Sequence, residues 1–358
     1  MRKTHLAALL LSLVLPSSGA LAAVPSDQTW IDFSKSAIEQ HVIPGYDLLS
    51  EQAKALAQSS EAYCATPSEQ TLAQAREDFK QTLQAWQGIS HVQFGPVTLL
   101  MRNFSMQYWP DKKNLGGRQL KSTIQSESRA YDDDFFAAAS VAIKGLPAIE
   151  KLLFPASAST DMRTQSNFCP LLMAVTSHVA SNSRAIAQEW RAEAASFVEF
   201  GEDLAYESAS EVATELLKAL VEPVEAISDA KLASPMGSSL AKLRWRKSEA
   251  WRSEQSIESV RSNIASLHHL YSGLTDNTLR ELLSAAGEKK LAGAIDAKFV
   301  ELKALLEAVQ EPVNMQYDAA QYQALLAIQD KLKRLSDDLL AAMKPLGIQL
   351  GFNRRDGD

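Results

Sequence analysis

The chain has 358 residues, 46% of them hydrophobic and 22% charged, with only 15 Gly and 13 Pro and a formal net charge of −7. That length and apolar content build a folded chain of one large or two ordinary domains and exclude global disorder. The acidic balance gives no basic excess to replace phosphate counterions, so nucleic acid is excluded as a partner. Scarce Gly and Pro favour helices over a turn-rich β fold.

The N-terminus reads as an export signal: Arg2 and Lys3, then an apolar core from Leu6 to Leu15, Pro16, and the small-x-small pattern Ala20-Leu21-Ala22. Cleavage is expected before Ala23, which makes residues 1–22 a signal peptide and the mature chain about two charges more negative than −7. No cysteine follows the apolar core, so the lipoprotein route is not expected. Export to an oxidising compartment favours pairing the two cysteines, Cys64 and Cys169, as a structural disulfide.

Further along, apolar residues recur at helical spacing. Leu72, Ala75, Phe79, Leu83 and Trp86 form one stripe, and Leu216, Leu217, Leu220, Val221, Val224 and Ile227 a second. Phe299, Leu302, Leu305, Leu306 and Val309 follow, then Tyr322 through Met343. Breaks are expected at 88–96, 109–117, 154–170 (as a loop between helices) and 234–239. No β alternation competes, so the predicted fold is all-α, two helical bundles packed together: an N-terminal one over 23–205 and a C-terminal one over 206–358.

Several segments exceed what helix packing requires. Gly145-Leu146-Pro147-Ala148-Ile149-Glu150 leads into Lys151-Leu152-Leu153-Phe154. Before it stand Trp86-Gln87, Phe94-Gly95-Pro96 and Tyr108-Trp109-Pro110-Asp111, and the chain ends with Gly351-Phe352-Asn353 and Asp356-Gly357-Asp358. In this order they resemble the imelysin-like family of exported bacterial proteins, over essentially the whole mature chain. The resemblance implies two helical bundles, a periplasmic or cell-surface address and a part in bacterial iron uptake. It also implies a metallopeptidase label, resting on a Gly-x-His-x-x-Glu motif whose His and Glu hold a metal. Here Gly145 and Glu150 match, but Pro147 stands at the His position and offers no donor atom.

No substitute metal site is evident in the sequence. There is no His-Glu-x-x-His and no His-x-x-Glu, and the mature histidines His41, His91, His178, His268 and His269 lack helical ligand spacing. Glu150 with His91 is the one distant pairing to test, for iron or zinc. Glu150 sits among apolar residues, where a carboxylate needs partners, and Arg102, Arg118 and Arg244 are the candidates. The alternative is a first-turn capping role. Trp109 and Asp111 form either a helix-terminating corner or a pocket wall. Asn353 could supply an oxygen ligand, or the chain end could dock through Phe352.

The expectation is therefore a periplasmic iron-uptake protein holding a metal or metal-bearing ligand between its bundles. The ligand site would comprise Trp109, Asp111, Gly145, Pro147, Glu150 and Asn353, with a membrane iron-uptake component as a further partner. A metallopeptidase with a rearranged site and a non-catalytic partner-binding protein are the competing readings.

Overall fold

A computed structural model describes residues 24–126, 130–202, 204–312 and 315–350. The signal segment 1–22 and the Gly351–Asp358 ending, Asn353 included, lie outside the described residues. The fold is all-α, and no strand occurs among the described residues. None of the described helices is long and apolar enough to cross a membrane.

Each apolar stripe becomes the buried face of a helix. Leu72, Phe79, Leu83 and Trp86 lie inside the Glu69–Ile89 helix, which starts in a reciprocal cap between Ser68 and Thr71. The later stripes occupy the helices Ala209–Ala226, Lys289–Glu307 and Ala319–Met343. Asp132 accepts from the Phe135 amide and caps the helix Asp133–Ala138. The 154–170 stretch is more ordered than a loop. A helix forms over Ala158–Thr164, where Ser157 Oγ donates to Asp161 Oδ2 at 2.7 Å, one turn on.

The Ile43–Ala65 helix packs against Glu69–Ile89 and Phe168–Glu193, and Leu146–Leu153 lies against the last two. Cys64 and Cys169 are joined with their Cα atoms 5.6 Å apart, tying the end of the first of these helices to the start of Phe168–Glu193. A second group comprises Ala209–Ala226, Ser256–His268, Leu279–Ala285, Lys289–Glu307 and Ala319–Met343. Helix packings across the groups include Ser256–His268 on Glu69–Ile89, and the N-terminal helix Asp27–Ala37, which runs on toward Ile43–Ala65, packs on Ala209–Ala226.

Among the described residues, three helices contain π-helical turns, over Ile38–Val42, Ile227–Ala233 and His269–Gly273. Such wide turns re-aim side chains and recur at functional sites. Here they direct His41, Lys231 and His269 toward the contact between the two groups.

Candidate functional site

The helix Leu146–Leu153 begins where only glycine fits. A Cβ on Gly145 would collide with the carbonyl oxygens of Ser105 and Met106, so this helix start nests directly on that backbone. Pro147 follows within the first turn, where its missing N–H costs nothing. The helix then carries Glu150, only 5% exposed, toward the irregular segment before Ser256–His268.

Glu150 does not cap its own helix. Its Oε1 accepts from the backbone N–H of Arg252 at 3.0 Å, from that of Ser253 at 3.0 Å, and lies 2.9 Å from Ser253 Oγ. These bonds span more than a hundred residues of sequence. The receiving turn is tight: Ala250 and Glu254, neither a glycine, both take left-handed backbone angles. Burial pushes the Glu150 carboxyl up in pKa, against the downward pull of the Ser253 bonds and of Arg252 and Lys151. Two of the guanidinium candidates are engaged elsewhere: Arg102 forms a two-point pair with Glu189, and Arg244 donates to the carbonyls of Ala241 and Leu243; Arg118 is not among the residues bonded to Glu150.

A second, half-buried carboxylate holds the same segment from its other end. Glu311 accepts from the Ile257 backbone N–H and from Trp245 Nε1, and burial raises its pKa to about 7. Residues 245–257 are thus fixed by Glu150 from one helix group and by Glu311 from the other.

Between them opens a cavity of about 800 Å³, bounded by segments 79–151 and 229–252. It brings together Trp109, Asp111, Pro147 and Glu150, with Lys151 and Trp251. Trp109 is half-buried, at a cis Trp109–Pro110 bond. Asp111 is both corner and wall: its Oδ1 accepts from Leu115 N at 2.6 Å and its Oδ2 from Gly116 N at 2.9 Å, capping the helix Leu115–Gln125. Gly145 is buried at the helix start beside the cavity.

The structure does not join Glu150 to His91. His91 lines a separate cavity of about 660 Å³, and its Nε2 lies 2.9 Å from His41 Nε2. His41 Nδ1 in turn lies 2.9 Å from His269 Nδ1, giving a chain of three rings. Burial holds the His91 pKa down at about 3 and depresses His41 and His269 as well, so the chain is neutral at pH 7. Each link is then a single N–H···N bond, with His41 donating at one ring nitrogen and accepting at the other.

Sequence reasoning missed two further features. Lys231 Nζ reaches Glu249 Oε2 at 2.8 Å, Gln87 Oε1 at 2.6 Å and Asn263 Oδ1 at 2.7 Å, crossing from one helix group to the other. Arg252 stacks on Trp251 with its guanidinium carbon 4.3 Å from the ring centre, and Arg246 approaches the same ring at 5.5 Å. Pro223, inside the helix Ala209–Ala226, stands one turn before the π-helical turn that carries Lys231.

A metal at the family's motif does not fit these residues. Position 147 faces the cavity but carries proline, and Glu150 Oε1 is held by the Arg252 and Ser253 amides, which leaves the motif at most one carboxylate oxygen for a metal. Among the described residues no group of three or more His, Cys, Asp or Glu could hold a metal ion.

The imelysin family model, which carries a peptidase label, matches residues 42–339. None of the curated proteins compared matches the chain. Among solved structures, an imelysin-like protein from Psychrobacter arcticum superposes with a TM-score of 0.74 at 21% identity, covering 92% of this chain and 99% of that one. An iron-regulated protein A precursor from Parabacteroides distasonis gives 0.74 at 16% identity, covering 92% and 97%. At these identities the two structures speak for the fold alone. The family match spans most of the chain, and on that ground this protein belongs to the imelysin family.

Proposed function

We propose that the protein is an exported, periplasmic binding component of bacterial iron uptake that holds a metal-bearing ligand in the cavity between residues 79–151 and 229–252. The observation that carries this reading is the cavity itself, which gathers the family segments Tyr108–Asp111 and Gly145–Glu150 on one wall and places a second chain segment opposite. Iron uptake is supported by family membership and by the iron-regulated name of one structural neighbour. Periplasmic residence is supported by the Arg2-Lys3, apolar and Ala20-Leu21-Ala22 pattern. A carried ligand is favoured over a bare ion because the cavity has no convergent set of protein donors. The same shortage disfavours a metallopeptidase, since a catalytic metal needs several protein ligands and an open position.

Metal and small-molecule content of tag-free protein recovered after export tests this. The expected result is iron with an accompanying small molecule near one per chain, lost in Trp109→Ala. Protein that carries neither metal nor added mass, even from iron-supplemented cells, contradicts it.

One observation favours a second reading, a protein-docking role. Leu99, Leu100, Met101 and Phe104 are 49%, 88%, 57% and 52% exposed, presented on a turn where Leu100 and Met101 both take left-handed angles. A photocrosslinker at position 100 in exporting cells should then capture a membrane iron-uptake component. An absence of any adduct contradicts that reading.

A further inference from the structure

The cavity wall carries four carboxylates and five cations, and the two sets differ in how much of their charge the protein itself takes up. Each carboxylate on its wall is engaged by the protein. Asp111 spends both oxygens on the Leu115 and Gly116 amides, and Glu150 takes the Arg252 and Ser253 amides. Glu249 is bound by Lys231 and Gln107, and Asp229 accepts from Ser228 Oγ at 3.2 Å. The cations on the same wall are different. Lys112, Lys151, Arg246, Lys247 and Arg252 line the cavity, and none forms an ion pair among the described residues.

Among the described residues, Lys151 donates only to the Pro147 carbonyl at 3.3 Å, while Arg252 and Arg246 lie against the Trp251 ring. Burial, and then the neighbouring Arg252, depress the Lys151 pKa against the upward pull of Glu150 and Asp111, and Arg246 likewise depresses Arg252, so these three cations lie within reach of one another's charge. An anion placed between them relieves that repulsion.

The backbone narrows the kind of anion. Phosphate is usually cradled by free N–H groups at a helix start or in a tight turn. Two such cradles here are filled by the protein's own carboxylates, Asp111 at the start of Leu115–Gln125 and Glu150 in the 250–254 turn, and at the start of Leu146–Leu153 Pro147 has no N–H while the Ala148 and Ile149 amides donate to the Gly145 carbonyl. What remains are separated side-chain cations around a Trp251 face, which suit several carboxylates spread over one small molecule.

We infer that this cavity is a receptor for a small polycarboxylate, gripped by Lys151, Arg252, Arg246, Lys112 and Lys247. This deepens the binding reading above and rests on it for the location, though not for the presence of metal. The polycarboxylate can arrive free or wrapped around a metal ion, and both forms present the same outward carboxylate oxygens.

Calorimetric titration of the mature protein with citrate, ferric citrate, pyrophosphate and zinc ion separates these cases. Citrate or ferric citrate should bind near one per chain, weakening about tenfold in Lys151→Gln/Arg246→Gln and several-fold between low and high salt. Arg252→Lys, which keeps the charge but loses the planar stack on Trp251, should weaken binding less than the Lys151→Gln/Arg246→Gln pair. Circular dichroism confirms that each variant is folded, and Lys112→Gln/Lys247→Gln, at exposed positions, provides an independent charge-removing variant. Binding of ferric citrate supports both the polycarboxylate and the metal carrier. Binding of citrate but not ferric citrate supports the polycarboxylate and removes the metal from the proposed function. Zinc binding without either citrate form overturns the polycarboxylate and leaves a metal site standing. Tighter binding of pyrophosphate than citrate, indifference to the charge-removing variants, or no binding of either citrate form also overturns it.

Discussion

Replacing Glu150 with alanine deletes the acceptor that holds residues 252 and 253 to the Leu146–Leu153 helix. Two backbone N–H groups, of Arg252 and Ser253, are then left without their partner, while the Ser253 hydroxyl keeps the Ala250 carbonyl at 3.0 Å. Each buried donor left unpaired costs about 1–3 kcal/mol, and the lost side chain adds a small void, so Glu150→Ala should lose about 3–5 kcal/mol. Glu150→Gln keeps a carbonyl oxygen at the same place. Because burial already disfavours the charge at this position, the neutral amide should cost only about 1 kcal/mol. Urea denaturation of the three proteins reads these differences, and limited proteolysis should show cleavage within 245–257 in the alanine variant first. The reasoning is refuted if alanine is within about 1 kcal/mol of wild type, or if glutamine is as damaging as alanine.

Three further outcomes follow from the same geometry. Gly145→Ala should destabilise by about 2 kcal/mol or more, because its Cβ meets the Ser105 and Met106 carbonyl oxygens; an unchanged melting temperature refutes the close approach. Cys64→Ser/Cys169→Ser opens a cross-link spanning 105 residues and should cost about 2–5 kcal/mol, read by denaturation with and without reductant; equal stability refutes its structural role. His91 is held at a pKa of about 3 in the fold against 6.5 unfolded, so its contribution is present above pH 6.5 and is lost as pH falls toward 3. Stability should therefore drop about 1 kcal/mol more between pH 7 and 5.5 in wild type than in His91→Gln, and parallel profiles contradict the neutral histidine chain.

The helices were legible because burial imposes a period on the residues themselves. Phe299, Leu302 and Leu306, or Leu325, Ile328 and Leu332, mark their buried faces with no knowledge of what covers them. The family segments likewise flagged Trp109, Asp111, Pro147 and Glu150, all of which line one cavity. What the sequence hid is the partnership of those residues. Glu150 is satisfied by backbone amides of Arg252 and Ser253, and an amide bears no residue-type signature, so the search for a guanidinium partner could not succeed. His41, His91 and His269 meet only because two π-helical turns rotate their helices, and the separations of 50 and 228 residues follow no local spacing. Ala158–Thr164 formed a helix where Pro155 and a Ser-rich run suggested a loop, because local Ser157–Asp161 bonding offset weak propensity.

Crystals of the protein recovered after export from iron-replete cells, with diffraction collected on both sides of the iron absorption edge, address the central claim directly. The account predicts an iron signal inside the cavity lined by Trp109, Lys151 and Trp251, surrounded by small-molecule density and with Glu150 still bonded to Arg252 and Ser253. A solvent-filled cavity, or iron ligated by Glu150 or by His41, His91 and His269, would contradict it.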